Sequence, residues 1–326
     1  MTAGTSKLLE YYTMAQRIRI VEERIAAEYS KGEMRCPVHL SIGQEIVSAA
    51  VGMAQERLDT VVSSHRAHAH YLAKGGDLHK MIAEIFGRVT GCCKGRGGSM
   101  HLIDLSIGFL GSSAIVANSI PIGVGAGFTH KLDKSGQIAF TFFGDGATEE
   151  GAFYESVNFA VVNEIPVVFL CENNLYSVYT DLMPRQPTPR KIHEMAAAMG
   201  IRSFEVNSLD PLLCLEETLQ HISWARKNQA PIFLEYKTYR WLEHCGPNDD
   251  DDLKYRPSGE LQSWKARDPL TALRDLLVTR HSVSVNELNK IVSTITTEVN
   301  FVLQNVRKDP FPTLSESMQD VYAESE

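Results

Sequence analysis

The chain has 326 residues, 44% hydrophobic and 22% charged, with 32 basic against 40 acidic side chains and a formal net charge of −8. That length allows one large domain or two ordinary ones with a substantial core, and the acidic balance excludes a general nucleic-acid binder and demands local donors for any phosphate ligand. No apolar run reaches transmembrane length, the first 30 residues lack a secretory apolar stretch and include Glu10, Glu22, Glu23 and Glu28, unlike a transit peptide, and the six cysteines show no CxxC spacing, so free thiols in a reducing cytoplasm are expected.

Residues 8–30 carry Leu8, Leu9, Tyr12, Ile18, Val21 and Ile25 at helical spacing. This predicts an amphipathic helix, better suited to subunit packing than to a membrane. After a break at Lys31–Pro37, SIGQEIVSAAVGMAQE predicts a second helix whose small residues allow close packing. LDTVV is a short apolar run leading into the histidines of SSHRAHAH, residues 77–90 form a third helical pattern, and GCCKGRGGSMH (Gly91–His101) is a glycine-rich, basic loop. SIPIGVGAGFTHKL lacks the GxGxxG spacing of a dinucleotide fingerprint and contains Pro121, so it is not read as one. QIAFTFF and IPVVFLC are continuous apolar runs ending in turn chemistry, as expected of buried parallel strands. EEGAFYESVNFAVVNE between them is the crossover helix, IRSFEV and PIFLEYKTYRW are further strands, and residues 286–307 return to helix. The alternation predicts an α/β fold, a doubly wound, mainly parallel sheet flanked by helices. No repeat or linker divides the chain. The expected organisation is a single domain over residues 1–326, with an N-terminal helical arm (about 1–35) and a C-terminal helical extension (about 270–326).

The stretch FFGDGATEEGAFYESVNFAVVNEIPVVFLCENN, Phe142–Asn174, puts Gly-Asp-Gly after one predicted strand and Asn-Asn after the next. Ligands of open α/β sheets sit beyond the carboxyl ends of the strands, so Asp145 and the asparagines converge if these strands are near neighbours. A carboxylate and a carboxamide oxygen are hard donors that suit Mg²⁺, with phosphates and water completing its shell. Gly144 and Gly146 would let the backbone approach a phosphate, and a helix beginning near Thr148 would aim free N–H groups at it. The competing reading is local: Asp145 caps the crossover helix and the asparagines shape a turn. Gly-Asp-Gly, a stretch of just under thirty residues and then Asn-Asn resembles the thiamine diphosphate signature.

Beyond that signature, HLSIGQEIV, SSHRAHAHYLAKG, GRGGSMH, AIVANSIPIGVGAG, YKTYRWLEH and the C-terminal DPFP…DVY occur in order from about residue 8 to the end. In these pieces the chain resembles the alpha subunit of the thiamine diphosphate-dependent 2-oxo acid dehydrogenases, the pyruvate, branched-chain and acetoin dehydrogenase group; GRGGSMH is the more specific marker of this subunit. The resemblance implies that Asp145, the Asn174 side chain and the backbone carbonyl of Tyr176 hold Mg²⁺. It implies that Gly146 and Ala147 contact the diphosphate, that Arg66 binds it as a cation beside His65, and that Ala114 and Val116 line the cofactor site. His244 would sit on a mobile loop over the thiazolium as the catalytic histidine. The partner implied is a beta subunit that supplies a glutamate to the aminopyrimidine, in an α2β2 heterotetramer. A lipoyl acyltransferase would accept the acyl unit from a 2-oxo acid or acetoin-like substrate.

The chain departs from the family at several points. His65-Arg66 replaces Tyr-Arg, AIVA (Ala114–Ala117) replaces GIVG and narrows the pocket, and RWLEHCG keeps only His244 of two loop histidines, with Cys245 in place of a serine. These changes bear on substrate more than on cofactor. They keep two alternatives open, a split transketolase-like or acyloin-forming lyase and a non-catalytic cofactor-binding paralogue. His65, His68 and His70 fit no strong ligand motif, His101 stands where the glycine-rich loop could reach the site or simply hydrogen-bond, and Cys92-Cys93 is expected to be inert. The acidic run NDDDD, Asn248–Asp252, lacks the glycine and distal glutamate of a Ca²⁺ loop and is expected to be solvated.

Overall fold

A computed structural model describes residues 4–317 and 319; Asp320–Tyr322 of the DPFP…DVY stretch lie outside the described residues. In chain order come α1 (Thr5–Tyr29), α2 (Glu45–Gly52), β1 (Thr60–Ser63), α3 (His68–Ala73), α4 (Leu78–Ile85), β2 (Phe109–Ser112), α5 (Ser119–Asp133), β3 (Ala139–Gly144), α6 (Gly151–Val162) and β4 (Val167–Asn173). There follow β5 (Tyr176–Ser177), β6 (Thr180–Asp181), α7 (Leu182–Arg185), α8 (Ile192–Ala198), β7 (Arg202–Val206), α9 (Pro211–Asn228), β8 (Ile232–Lys237), α10 (Glu260–Lys265), α11 (Pro269–His281) and α12 (Val285–Val306).

The sheet is six-stranded and parallel, in the order β2-β1-β3-β4-β8-β7, while β5 and β6 form a separate small antiparallel ribbon. Each central strand alternates between two apolar layers, the geometry of a sheet covered on both faces. Phe140, Phe142, Val168 and Leu170 face a layer shared with α1, α2, α4, α9, α11 and α12; Ala139, Phe143, Phe169 and Cys171 face one shared with α5, α6 and α8. α1 is therefore a core element of its own chain: Tyr11, Tyr12, Ile18, Val21 and Ile25 are fully buried. Its Arg19 bridges Glu45 and Asp268, tying the N-terminal helix to α2 and to the start of α11.

Several boundaries differ from the sequence reading. The segment after β3 is a 3₁₀ turn, Asp145–Glu149; Glu150 is extended (ψ 144°), and the α-helix begins only at Gly151. The N–H groups near Thr148 therefore belong to a tight turn rather than to a helix N-terminus. Strand β2 had no alternation long enough to announce it, being four residues at the sheet edge. Two of the three glycines of α5 face the sheet: a Cβ on Gly123 would lie 2.7 Å from Thr141 Cβ and one on Gly127 2.9 Å from Ile165 Cγ2, whereas one on Gly125 would meet nothing within 4 Å. They are packing glycines, not a phosphate-binding fingerprint.

Candidate active site

The sheet changes winding direction at β1, which pairs with β2 on one side and β3 on the other. Beyond the carboxyl ends of β1, β3 and β4 lies a cavity of about 190 Å³, the position open α/β sheets use for ligands. All ten residues singled out in the sequence line it: His65, Arg66, Ala114, Val116, Asp145, Gly146, Ala147, Asn174, Tyr176 and His244. The convergence follows from register. Gly144 pairs with Glu172 across β3 and β4, so Asp145 and the asparagines leave adjacent strands together.

Asp145 is buried, and burial raises its carboxyl pKa against the opposing pull of Arg185. Arg185, from α7, forms ion pairs with both Asp145 and Glu149. Asn174 Nδ2 donates to Gln44 Oε1 at 3.1 Å, and its Oδ1 accepts the Tyr176 N–H at 3.2 Å. Leu175, between them, has φ 73°, and Val178 has φ 55°. A left-handed β-branched residue is uncommon and stores local strain. Arg240 Nη2 holds the Val178 carbonyl at 2.6 Å, which fixes the ribbon in that conformation. Gly144 needs no special backbone angle (φ −85°), and a Cβ there would meet open space; on Gly146 a Cβ would come within 2.7 Å of Ser177 Oγ. The glycine at 146 is thus demanded by the close approach of the ribbon.

At the opposite wall Arg66 is buried, donating to the Leu40 carbonyl at 2.6 Å and the His244 carbonyl at 3.1 Å. Two neutral acceptors orient the guanidinium without cancelling its charge, and burial lowers its pKa to about 10. Beside it His39, His65 and His244 pack edge to face, with centroids 4.6, 5.0 and 5.3 Å apart. Burial first and the Arg66 charge second push them down to about 2, 4 and 3 respectively. The wall is therefore three neutral imidazoles and one cation, a surface that repels added positive charge and favours an anion. His39 Nδ1 is buried with no partner.

The other histidines go elsewhere. His68 lies between Glu22 (3.1 Å) and Ser99 (2.7 Å), an order resembling a nucleophile triad, but all three side chains are fully buried and no substrate could reach Ser99. His70 stacks on Phe142 and lies 2.7 Å from Ser63 Oγ. His65, His68 and His70 therefore form no common cluster. His101 is exposed and approaches the Gly97 carbonyl, while its neighbour Met100 lines the cavity. The acidic run is not simply solvated: Asp250 is buried between Arg240 and Arg256, 3.3 Å from each, and Arg240 also donates to the Leu242 carbonyl. That network ties the His244 loop to the β5–β6 ribbon.

Among the residues that escaped the sequence reading are His39, Gln44 and Glu172, which line the cavity, and Arg185, which covers Asp145. Gln44 stood inside the quoted HLSIGQEIV, and Glu172 directly before the asparagines. Neither had a partner visible along the chain.

The donor set fits a hard divalent cation with a diphosphate: carboxylate and carboxamide oxygens at one end, and an uncompensated guanidinium at the other. The buried Asp145 carboxylate already requires a cation, a need Arg185 meets here.

Comparison with known proteins adds to this geometry. The pattern describing the family "Dehydrogenase E1 component" matches residues 13–315. The chain is 36% identical over 305 residues to "Pyruvate dehydrogenase E1 component subunit alpha" of Rickettsia bellii (strain RML369-C), covering 94% of this chain and 92% of that protein. It is 35% identical over 326 residues to the protein of that name from Porphyra purpurea, covering 98% and 94%. To "Pyruvate dehydrogenase E1 component subunit alpha-3, chloroplastic" of Arabidopsis thaliana it is 32% identical over 322 residues, covering 97% and 74%.

Proposed function

The chain belongs to the dehydrogenase E1 component family, and from that premise we propose that it is the alpha subunit of a thiamine diphosphate- and Mg²⁺-dependent 2-oxo acid dehydrogenase. It would work with a beta subunit, as an α2β2 heterotetramer in the cytoplasm, and hand its acyl unit to a lipoyl carrier. The observation that carries the reading is the meeting of Asp145, Asn174, Tyr176 and Arg66 around one cavity at the carboxyl ends of β1, β3 and β4. All six cysteines are free, in keeping with a reducing compartment. Among the described residues no helix is long and apolar enough to cross a membrane.

When bound, thiamine diphosphate supplies the nucleophilic carbon and the electron sink that loss of a carboxylate from a 2-oxo acid requires. The chain's own residues would do the holding. Asp145, Asn174 and the Tyr176 carbonyl take Mg²⁺, Gly146 and Ala147 meet the diphosphate, and Arg66 neutralises it from the opposite wall. Ala114 and Val116 shape the cofactor's side of the cavity. His65 and His244, both neutral, offer ring nitrogens to a negatively charged substrate group without burying a second cation beside Arg66. The glutamate that would face the aminopyrimidine belongs to the beta partner. The test is calorimetry of thiamine diphosphate binding with and without Mg²⁺. Asp145→Ala should abolish the Mg²⁺-dependent gain in affinity; an unchanged gain sinks the assignment of the metal site.

A further inference from the structure

Gln44 enters the cavity wall from the short segment ahead of α2. There Gly43 has φ 97° and passes the Tyr239 carbonyl so closely that a Cβ would lie 2.4 Å from it. The Gln44 side chain is buried and bonded at both ends: Oε1 accepts from Asn174 Nδ2 at 3.1 Å and Nε2 donates to Glu172 Oε2 at 3.3 Å. Glu172 is buried as well, with His70 Nε2 3.2 Å from that same oxygen and no partner on Oε1. Glu172 stands in the last residues of β4 and Asn174 directly after the strand, and Gln44 contacts both side chains.

The donor and acceptor inventory gives this chain of contacts a direction. A carboxylate only accepts, whereas an amide offers an acceptor at one end and donors at the other. Glu172 therefore draws the NH₂ of Gln44 and leaves the Gln44 oxygen towards Asn174. Asn174 answers with its own NH₂. Its Oδ1 accepts the Tyr176 N–H at 3.2 Å with one lone pair, and the second lone pair is the one site on that side chain able to ligate a hard cation. The two ends of an amide are almost the same shape, so packing alone would not choose between them.

We infer that Glu172 and Gln44 are positioning residues that set the amide of Asn174, so that its carbonyl oxygen rather than its NH₂ faces Mg²⁺. This rests on the metal-site reading of the preceding subsection. It adds the reason why an asparagine can serve there as reliably as a carboxylate.

The experiment is calorimetry of thiamine diphosphate binding to the full chain with its beta partner, in Mg²⁺ and in EDTA. Glu172→Gln preserves size but erases the direction. The Mg²⁺-dependent gain in affinity should fall about tenfold or more, the usual scale for loss of an outer-shell partner. Affinity in EDTA and the melting temperature should stay at the wild-type values, which a merely structural role would not leave untouched. Gln44→Met, unbranched and of similar length, should show the same loss of the Mg²⁺-dependent gain, together with a lower melting temperature because it leaves the buried Glu172 and Asn174 groups without that partner. On an Asn174→Asp background both oxygens of residue 174 are equivalent, so Glu172→Gln should cause no further loss. Wild-type Mg²⁺ dependence in both relay variants overturns the inference, as does an equal loss on the Asn174→Asp background. Asp145→Ala separates the two levels. If it keeps its Mg²⁺ dependence, the metal-site reading itself fails and takes the relay with it. If it loses that dependence while the relay variants do not, only the relay fails.

Discussion

At the scale of single residues, the cavity is governed by charge. His39, His65 and His244 are neutral because burial and Arg66 hold them at about 2, 4 and 3. In the unfolded chain each would titrate near the ordinary imidazole value of about 6.5. Folded pKa values lie below unfolded ones, so the unfolded state binds more protons below that value, and stability rises with pH across the window. The stabilisation is complete above about 6.5 and drains away as pH falls from there through the folded values, from about 4 at His65 to about 2 at His39. Melting temperatures recorded from neutral pH to about 5 should therefore fall, and His39→Gln should flatten the slope. A slope unchanged in that variant would mean His39 is not the buried neutral base described. Arg185 makes a second residue-scale prediction. Breaking a buried ion pair by removing one partner costs about 3–5 kcal/mol, so Arg185→Gln should sharply lower the melting temperature of the metal-free chain. Mg²⁺ with thiamine diphosphate should restore much of the loss, because another cation then meets Asp145. The Gly-Asp-Gly and Asn-Asn residues were legible along the chain because their chemistry is local. Gln44 and Arg185 were not: their meaning arises from partners 130 and 40 positions away.

At the scale of elements, periodicity placed α1, α6, α12 and the central strands, where burial imposes a pattern, and failed where geometry is set by a neighbour. β2 is four residues long, the turn after β3 is 3₁₀ because Glu150 breaks the helix from Asp145, and the β5–β6 ribbon is too short for any pattern. Helix α5 shows the same limit: its three glycines look alike in sequence, yet Gly123 and Gly127 abut β3 and the start of β4 while Gly125 faces open space. One substitution should thus have opposite signs within one helix. Gly125→Ala should stabilise by roughly 0.5–1 kcal/mol through helix propensity. Gly123→Ala should destabilise by about 1–3 kcal/mol, since its methyl must displace Thr141 from a packed wall. Urea titrations of the two variants decide the matter; shifts of the same sign would mean that α5 is not seated on the sheet through these glycines.

For the whole molecule, the layer holding α1, α2, α9, α11 and α12 is thick, whereas only α5, α6 and the short α8 cover the other face of the sheet. The outer surfaces of α5 and α6 leave Ile122, Leu132, Phe159 and Val162 exposed, and Ile115 is 68% exposed next to Val116 at the cavity rim. Exposed apolar side chains beside a ligand cavity point to an interaction site, and Ile115 and Val116 adjoin the cavity that would need a second chain's glutamate. The isolated chain is therefore expected to bind the cofactor but not to turn over 2-oxo acids. Titrating in the beta partner, with an artificial electron acceptor as readout, should raise turnover to a plateau at equal subunit numbers. Ile115→Asp places a charge in the rim without touching the core, so the melting temperature of the isolated chain should barely move, by the equivalent of about 0.5 kcal/mol at most. The partner concentration needed for half-maximal turnover should rise about tenfold or more, as expected when association buries an unpaired charge. Full turnover by the chain alone would show that the cavity is already complete and that the exposed rim serves something other than the catalytic partner.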